Sequence, residues 1–289
     1  MRFKKIGELP AFPSVNGSYS GSQAPTPELM ADRLRIHFSA RDTKGRSHPF
    51  FWDVSLAYPY VPIAPSGRTN IPLGKLGEGD ESGVMISQVL PNEILYTGWN
   101  RGDDKVRYRT CCMSWNRTSG RKAMYFDRNP LGPVGTSMMI KHTEQSVFYM
   151  ADQRWELNPA GNMYEPFYNI AYQYGYDGNY DQGGGIQEEL DDKTGGIARP
   201  VIWQDKTQAD YLFYCKRGKW DYRTDKNESY RTYVKREYYY DDKPEKLVEI
   251  EGEDGFMIAY AYPITIDGKT YLLYNNHFQS QICVALLEE

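Results

Sequence analysis

The stretch "ADYLFYCKRGKW" (209–220) decides how this chain folds. Tyr211, Leu212, Phe213 and Tyr214 form an apolar, aromatic run, and Lys216, Arg217 and Lys219 break it in a charged turn. A short aromatic run bounded this way reads as a strand. The stretch has four relatives: "RIHFSARD" (35–42), "ILYTGWN" (94–100), "SVFYMADQRW" (146–155) and "YLLYNNHF" (271–278). Aligned on the last aromatic of each run, the anchors are Phe38, Tyr96, Tyr149, Tyr214 and Tyr274, spaced 58, 53, 65 and 60 residues apart. A repeat at such a period marks an array of like units, and five of them account for the whole chain.

Each anchor strand has a strand before it: "APTPELM" (24–30), "SGVMISQVL" (82–90), "GTSMMIKH" (135–142), "GIARPVIW" (196–203) and "FMIAYAYPITI" (256–266). Turns such as "QDKTQAD" and "DGKT" join several of these pairs as hairpins. A third strand follows each anchor, as in "PFFWDVSLA" and "QICVALLEE". The one modest helical pattern, "PTPELMADRL", is interrupted by prolines. "DQGGGIQ" (181–187) reads as a flexible loop. A three- or four-stranded sheet cannot bury both faces alone, and radial repetition buries them between neighbours. The expectation is an all-β, five-bladed β-propeller with antiparallel blades of three to four strands. It forms a single domain over residues 1–289 with a funnel on its axis. A two-sheet sandwich is the competing arrangement.

Composition narrows the function classes. Net charge is −4, which argues against a nucleic-acid binder that tracks phosphates. No stretch approaches the roughly 18–20 apolar residues of a membrane span. Cys111, Cys112, Cys215 and Cys283 lack metal-type spacing and read as thiols of a reducing, cytoplasmic setting. The four histidines have no zinc-type spacing, and no phosphate-loop or dinucleotide fingerprint occurs. Neither metal nor cofactor is expected. Tyrosine alone counts 25. Surfaces rich in Tyr and Trp suit sugar rings, although most tyrosines must simply fill half-buried strand positions.

The segments "PTPELMADRLRIHFSARDTKGRS", "GDESGVMISQVLPNEILYTGWN", "YEPFYNIAYQYGYDG", "GGIARPVIW", "YLFYCKRGKWDYRTDKNESYRTYVK" and "GFMIAYAYPITIDGKTYLLYNNHF" occur in this order along nearly the whole chain. Together they resemble the five-bladed β-propeller glycosidase superfamily of glycoside hydrolase families 43, 32 and 130. The likeness extends to glycosidase-like proteins tied to surface-polysaccharide assembly. The chain departs from the pattern at Gly195 and Gly196, where an acid is usual before the "IARP" strand, and in "NNHFQSQ" at the last turn.

The resemblance implies a carbohydrate or sugar-phosphate ligand and a glycosidase-like reaction. The alternatives are a binding propeller without catalysis, or a transferase or phosphorylase on the same fold. Glycoside hydrolysis uses two carboxyl groups facing the scissile bond. Strand starts in a propeller meet at the axis, so the candidates are Asp80 and Glu81 before "SGVMIS", Asp254 before "GFMIAYAYP", Asp42 in "SARD" and Glu165 in "YEPFYNI". The plainer readings are a solvated loop for Asp80 and Glu81, a turn for Asp254, an arginine pair for Asp42 and a surface carboxylate for Glu165. Arg199 within an apolar strand implies a partner, because an unpaired buried charge is costly. With Arg41, Arg223 and Arg231 it forms a candidate anion-binding set, while Trp99 and Tyr262 are candidates for stacking on sugar. A solvated connector is the plainer reading of the loop holding Arg223 and Arg231, and inter-blade packing is the commoner fate of the tryptophans.

Overall fold

The structure, a computed structural model, describes residues 1–12, 19–101, 108–124, 134–142, 147–162, 164–174, 184–236, 244–276 and 281–288. Every regular element in them is a strand. After β1 (Arg2–Glu8) comes a meander of β2 (Tyr19–Leu29), β3 (Leu34–Asp42), β4 (Ser47–Val54) and the short β5 (Gly67–Arg68). The second comprises β6 (Gly83–Val89), β7 (Glu93–Arg101), β8 (Tyr108–Asn116) and β9 (Lys122–Met124). The third comprises β10 (Val134–His142), β11 (Val147–Leu157), β12 (Tyr164–Tyr174) and β13 (Gly184–Glu188). The fourth comprises β14 (Thr194–Gln204), β15 (Asp210–Gly218), β16 (Arg231–Arg236) and β17 (Lys246–Leu247). After β18 (Glu249–Glu251), the last meander is β19 (Ala259–Ile266), β20 (Lys269–Asn276) and β21 (Gln281–Leu287). Its fourth strand comes from the other end of the chain, because β1 pairs antiparallel with β21, Phe3 facing Leu287.

Single parallel bridges, Ser47 to Gly83 and Tyr168 to Gly196, join the first meander to the second and the third to the fourth. The first strands close a cycle: β2 lies against β6, β6 against β10, β10 against β14, β14 against β19, and β19 against β2. The helical pattern in "PTPELMADRL" is overridden, for Pro25 and Pro27 lie within β2 and Met30 to Arg33 form the turn into β3. The glycine-rich segment is a strand over 184–188, where β13 completes the third meander on β12; residues 181–183 lie outside the described residues.

The opening stretch now has a physical reading. Successive residues of a strand face opposite sides. Leu212 and Tyr214 pack with Ile140, Tyr149 and Ile170 of the third meander. Phe213 packs the other way, with Leu272, Tyr274 and Ala285 of the last. In β20, Leu272 and Tyr274 face the fourth meander, while Tyr271 and Leu273 face the first. A continuous apolar run is what a strand buried on both faces requires. All five anchors are 2% exposed or less. No disulfide joins the four buried cysteines. Among the described residues, no helix is long and apolar enough to cross a membrane.

A buried polar network ties the first meander to the turn after β8. The His37 ring contacts Thr69 Oγ1 at 3.0 Å through Nδ1 and Glu28 at 2.9 Å through Nε2. Arg117 holds the other Glu28 oxygen at 2.7 Å. The hydrogen bond from His37 lowers the Glu28 carboxyl to about 2, with Arg117 adding to it and burial opposing. Burial also opposes at Asp42, but the Arg46 backbone N–H, His48, the Arg46 side chain and the Lys44 N–H together hold it at about 2. Burial pushes the His37 and His48 rings down from their usual 6.5.

All four groups bind fewer protons folded than unfolded, so stability falls as pH falls. The histidines act from pH 6.5 downward, Glu28 from 4.5 toward 2 and Asp42 from 3.8 toward 2. Urea denaturation at stepped pH is expected to give a midpoint that drops steadily below neutrality. The gap between wild type and Glu28→Gln is expected to close between pH 4.5 and 2. A midpoint that stays flat down to pH 3 contradicts this assignment.

Candidate functional site

Four of the five first strands carry a bulge with a residue in the left-handed region: Ala24 (φ 57°), Met138 (55°), Arg199 (60°) and Tyr260 (54°). In each, the register with the neighbouring strand shifts across that residue. The fifth, β6, shifts between Ile86 and Gln88. Positive φ is costly for residues with a Cβ, and bulges re-aim side chains next to functional sites. Here the bulges turn Met138, Arg199 and Tyr260 onto one small hollow at the centre of the cycle.

Above that hollow opens a cavity of about 480 Å³. All five meanders contribute to it. Gln23, Met85, Ser137 and Tyr260 come from first strands, and Arg41, Thr97 and Trp99 from second strands. Pro166 and Tyr168 come from β12, and Tyr222, Arg223 and Tyr230 from the loop between β15 and β16. Met138, Tyr168, Tyr230 and Tyr260 line the hollow as well, so Arg199 forms the floor of the cavity. Among the described lining residues, none is Asp or Glu.

The predicted residues separate into groups. Arg41, Trp99 and Arg223 line the cavity. Arg41 is exposed, and among the described residues no carboxylate pairs with it. Trp99 presses against Gly83, where an added Cβ would come within 1.7 Å of the indole nitrogen, so only glycine fits there. Arg199 is 1% exposed and its partners are not acids. It donates to Thr26 Oγ1 at 2.8 Å, Pro25 O at 3.1 Å and Ile86 O at 3.3 Å. Tyr262 is not on a rim, because it packs into two core clusters and its ring lies 5.5 Å from the Arg199 guanidinium.

Glu165 sits one layer behind the cavity wall. It is 5% exposed, and both oxygens accept hydrogen bonds, from Tyr222 Oη at 3.0 Å and Arg223 Nη1 at 3.0 Å. Beneath them, the buried Arg217 guanidinium stacks 3.8 Å from the Tyr222 ring. It donates to Tyr230 Oη at 3.2 Å, to Gly218 O at 2.8 Å and to Pro166 O.

The other acids lie away from the lining. Asp80 is 0% exposed and accepts from Tyr96 Oη at 3.0 Å and Lys122 Nζ at 2.6 Å. Glu81 accepts the Gly77 N–H. Asp42 caps its own turn through the Lys44 and Arg46 N–H groups and pairs with Arg46. Asp254 accepts the Phe256 N–H in a turn. With Arg231 it borders a separate groove that also contains Glu253.

Sequence reasoning missed Tyr168, Tyr222, Tyr230 and Tyr260. Met138, Arg199 and Tyr260 stand 11, 15 and 14 residues before their anchors, so aligning the anchors does not bring these positions together, and no pattern marks the tyrosines.

No protein-family model matches the chain, and no curated protein matches it. Solved structures do. The chain is similar to an alpha-L-arabinofuranosidase from Podospora anserina, at 11% identity over 99% of this chain and 96% of that one, with a TM-score of 0.60. It is similar to a thermostable family-43 glycoside hydrolase, at 14% identity over 98% and 94%, with a TM-score of 0.57. A family-32 beta-fructofuranosidase from Bombyx mori matches at 14% identity over 97% of this chain and 64% of that one, with a TM-score of 0.52. These likenesses, with the cycle of antiparallel meanders, give this chain the β-propeller fold of the family 43, 62 and 32 glycoside hydrolases.

Proposed function

We propose that the chain is a single five-bladed propeller domain and a carbohydrate-active, glycosidase-like protein that takes an acidic glycan in its axial cavity. The observation that carries this reading is the cavity wall, where Trp99 and four tyrosines stand beside Arg41 and Arg223, with Arg199 beneath. Aromatic faces suit the C–H faces of a sugar, and guanidinium groups fit carboxylate or phosphate through forked donors. Three arginines converge here in a chain of net charge −4, so their field is local to the cavity.

Titration calorimetry with uronic-acid oligosaccharides, sugar phosphates and their neutral counterparts tests the reading, together with hydrolysis assays on aryl glycosides of both kinds. Acidic ligands are expected to bind more tightly, with an advantage that shrinks in salt. Trp99→Ala is expected to weaken binding by about 2 kcal/mol, roughly thirtyfold. Arg41→Ala is expected to reduce the preference for the acidic ligand several-fold at unchanged stability. Equal affinity for acidic and neutral glycans overturns the acidic part of the proposal.

One observation favours binding without hydrolysis: the five candidate acids all lie outside the described lining of the cavity. Tight binding with no turnover of any glycoside selects that reading.

A further inference from the structure

Glu165 lies 57 residues from Tyr222 and 58 from Arg223, yet the three form one connected set against the cavity. Tyr222 and Arg223 both line it. Tyr222 Oη donates to Glu165 Oε2 at 3.0 Å, and Arg223 Nη1 holds Glu165 Oε1 at 3.0 Å. A hydroxyl hydrogen-bonded to a base, with the base fixed by a third group, is the arrangement of an activated nucleophile. Arg217 supports the set from below, pressed on the Tyr222 ring and tied to three backbone carbonyls around it. Burial holds the Tyr222 proton on well above the ordinary phenol range, with Arg217 and Arg223 pulling the other way, so the hydroxyl needs a base at hand.

We propose that Tyr222 is a glycosyl-accepting nucleophile and Glu165 its base, with Arg223 as the positioning residue. The inference rests on the reading of the cavity as a site for an acidic glycan. In the first step Tyr222 Oη bonds to the anomeric carbon as the bond to the aglycone oxygen breaks, its electron pair leaving with that oxygen. The phenol proton passes to Glu165 Oε2, and the departing oxygen, on the opposite face of the anomeric carbon, takes its proton from solvent water. In the second step a water oxygen bonds to the anomeric carbon and the bond to Tyr222 breaks. The water's proton goes to solvent, and Glu165 returns the stored proton to Tyr222 Oη. The net change is glycoside plus water to free sugar plus alcohol. The chemistry suits the cavity, because a neutral phenol does not repel an acidic sugar gathered by Arg41 and Arg223, whereas a carboxylate nucleophile would. A few glycosidases use tyrosine in this way.

The test uses the full chain and the acidic aryl glycoside that it cleaves fastest. Proton NMR of the first-formed product is expected to show retained anomeric configuration, since two displacements occur. A fluorinated glycosyl fluoride of the same sugar is expected to leave an adduct on the peptide containing Tyr222. Tyr222→Phe is expected to cut kcat at least a thousandfold with KM within threefold. Glu165→Gln is expected to cut kcat by a hundredfold or more with KM little changed. Inversion, an adduct on another residue, or full activity in Tyr222→Phe overturns the assignment while hydrolysis stands. Binding of the acidic glycan without turnover also overturns it, and leaves the cavity reading intact.

Discussion

Replacing Arg199 by alanine is expected to destabilise the protein by about 3 kcal/mol, read as a lower urea midpoint at unchanged m-value. The guanidinium reaches across the centre of the cycle. It donates to Pro25 O and Thr26 Oγ1 of β2 and to Ile86 O of β6, while belonging to β14. Three first strands are thereby fastened at one point. Burial pulls the Arg199 pKa down to about 10, which still leaves the group charged at neutral pH. Its desolvation cost is offset by these acceptors, by Met138 Sδ at 3.6 Å and by the Tyr262 ring 5.5 Å away. Truncation relieves that cost, but strands Pro25 O, opens a void at the axis and keeps the unfavourable φ of 60°.

A lysine at this position separates the two roles of Arg199. It keeps the charge under the cavity yet cannot fork to several acceptors. Arg199→Lys is therefore expected to retain most of the preference for an acidic ligand while recovering less than half of the lost stability. If Arg199→Ala denatures at the wild-type midpoint, the guanidinium is not a strut between strands.

The repeat was legible because its cause is local. A strand sandwiched between neighbouring meanders needs an unbroken apolar run, so Phe38, Tyr96, Tyr149, Tyr214 and Tyr274 recur with their flanking hairpins. Closure through β1 was less legible, since "RFKKIGE" carries three cations and only two apolar side chains. The site was legible in part. Trp99 and Arg41 follow their anchors closely enough to be placed at the axis with them. Tyr222 and Tyr230 enter from a loop, where no periodicity records direction. The positive φ at Met138, Arg199 and Tyr260 leaves no mark in a hydrophobic pattern, although it decides which side chains reach the axis.

The acids misled for a more specific reason. A carboxylate just before a first strand is what a catalytic site needs, and it is also what a buried anchor tyrosine needs. Tyr96 Oη donates to Asp80 and Tyr274 Oη to Glu253, and both acids lie in the segment leading into the first strand of their own meander. Spacing alone cannot separate the two uses.

That ambiguity makes Asp80 the residue whose substitution is most informative. Asp80→Ala is expected to cost about 3–5 kcal/mol, in the range for breaking a buried ion pair. The carboxylate is wholly buried and receives both Tyr96 Oη and Lys122 Nζ on Oδ2. Lys122 keeps 21% of its side chain exposed and turns toward water when its partner is removed. Tyr96 is 0% exposed and has no such escape, so its hydroxyl is left without an acceptor. Gly74 and Gly98 exist to admit this group, since an added Cβ would meet Asp80 Oδ1 at 2.3 Å or Asp80 Cβ at 2.9 Å. Asp80→Asn preserves the shape and one acceptor for Tyr96, but its amide takes the place of Oδ1, which has no hydrogen-bond partner. It is expected to cost about 1–3 kcal/mol. Urea denaturation of both variants gives these values. Glycan affinity measured well below the midpoint is expected to match wild type in each, because Asp80 stands behind Tyr96 and not at the cavity wall. An Asp80→Asn protein that is as stable as wild type but has lost turnover would return this carboxylate to the reaction and remove it from the core.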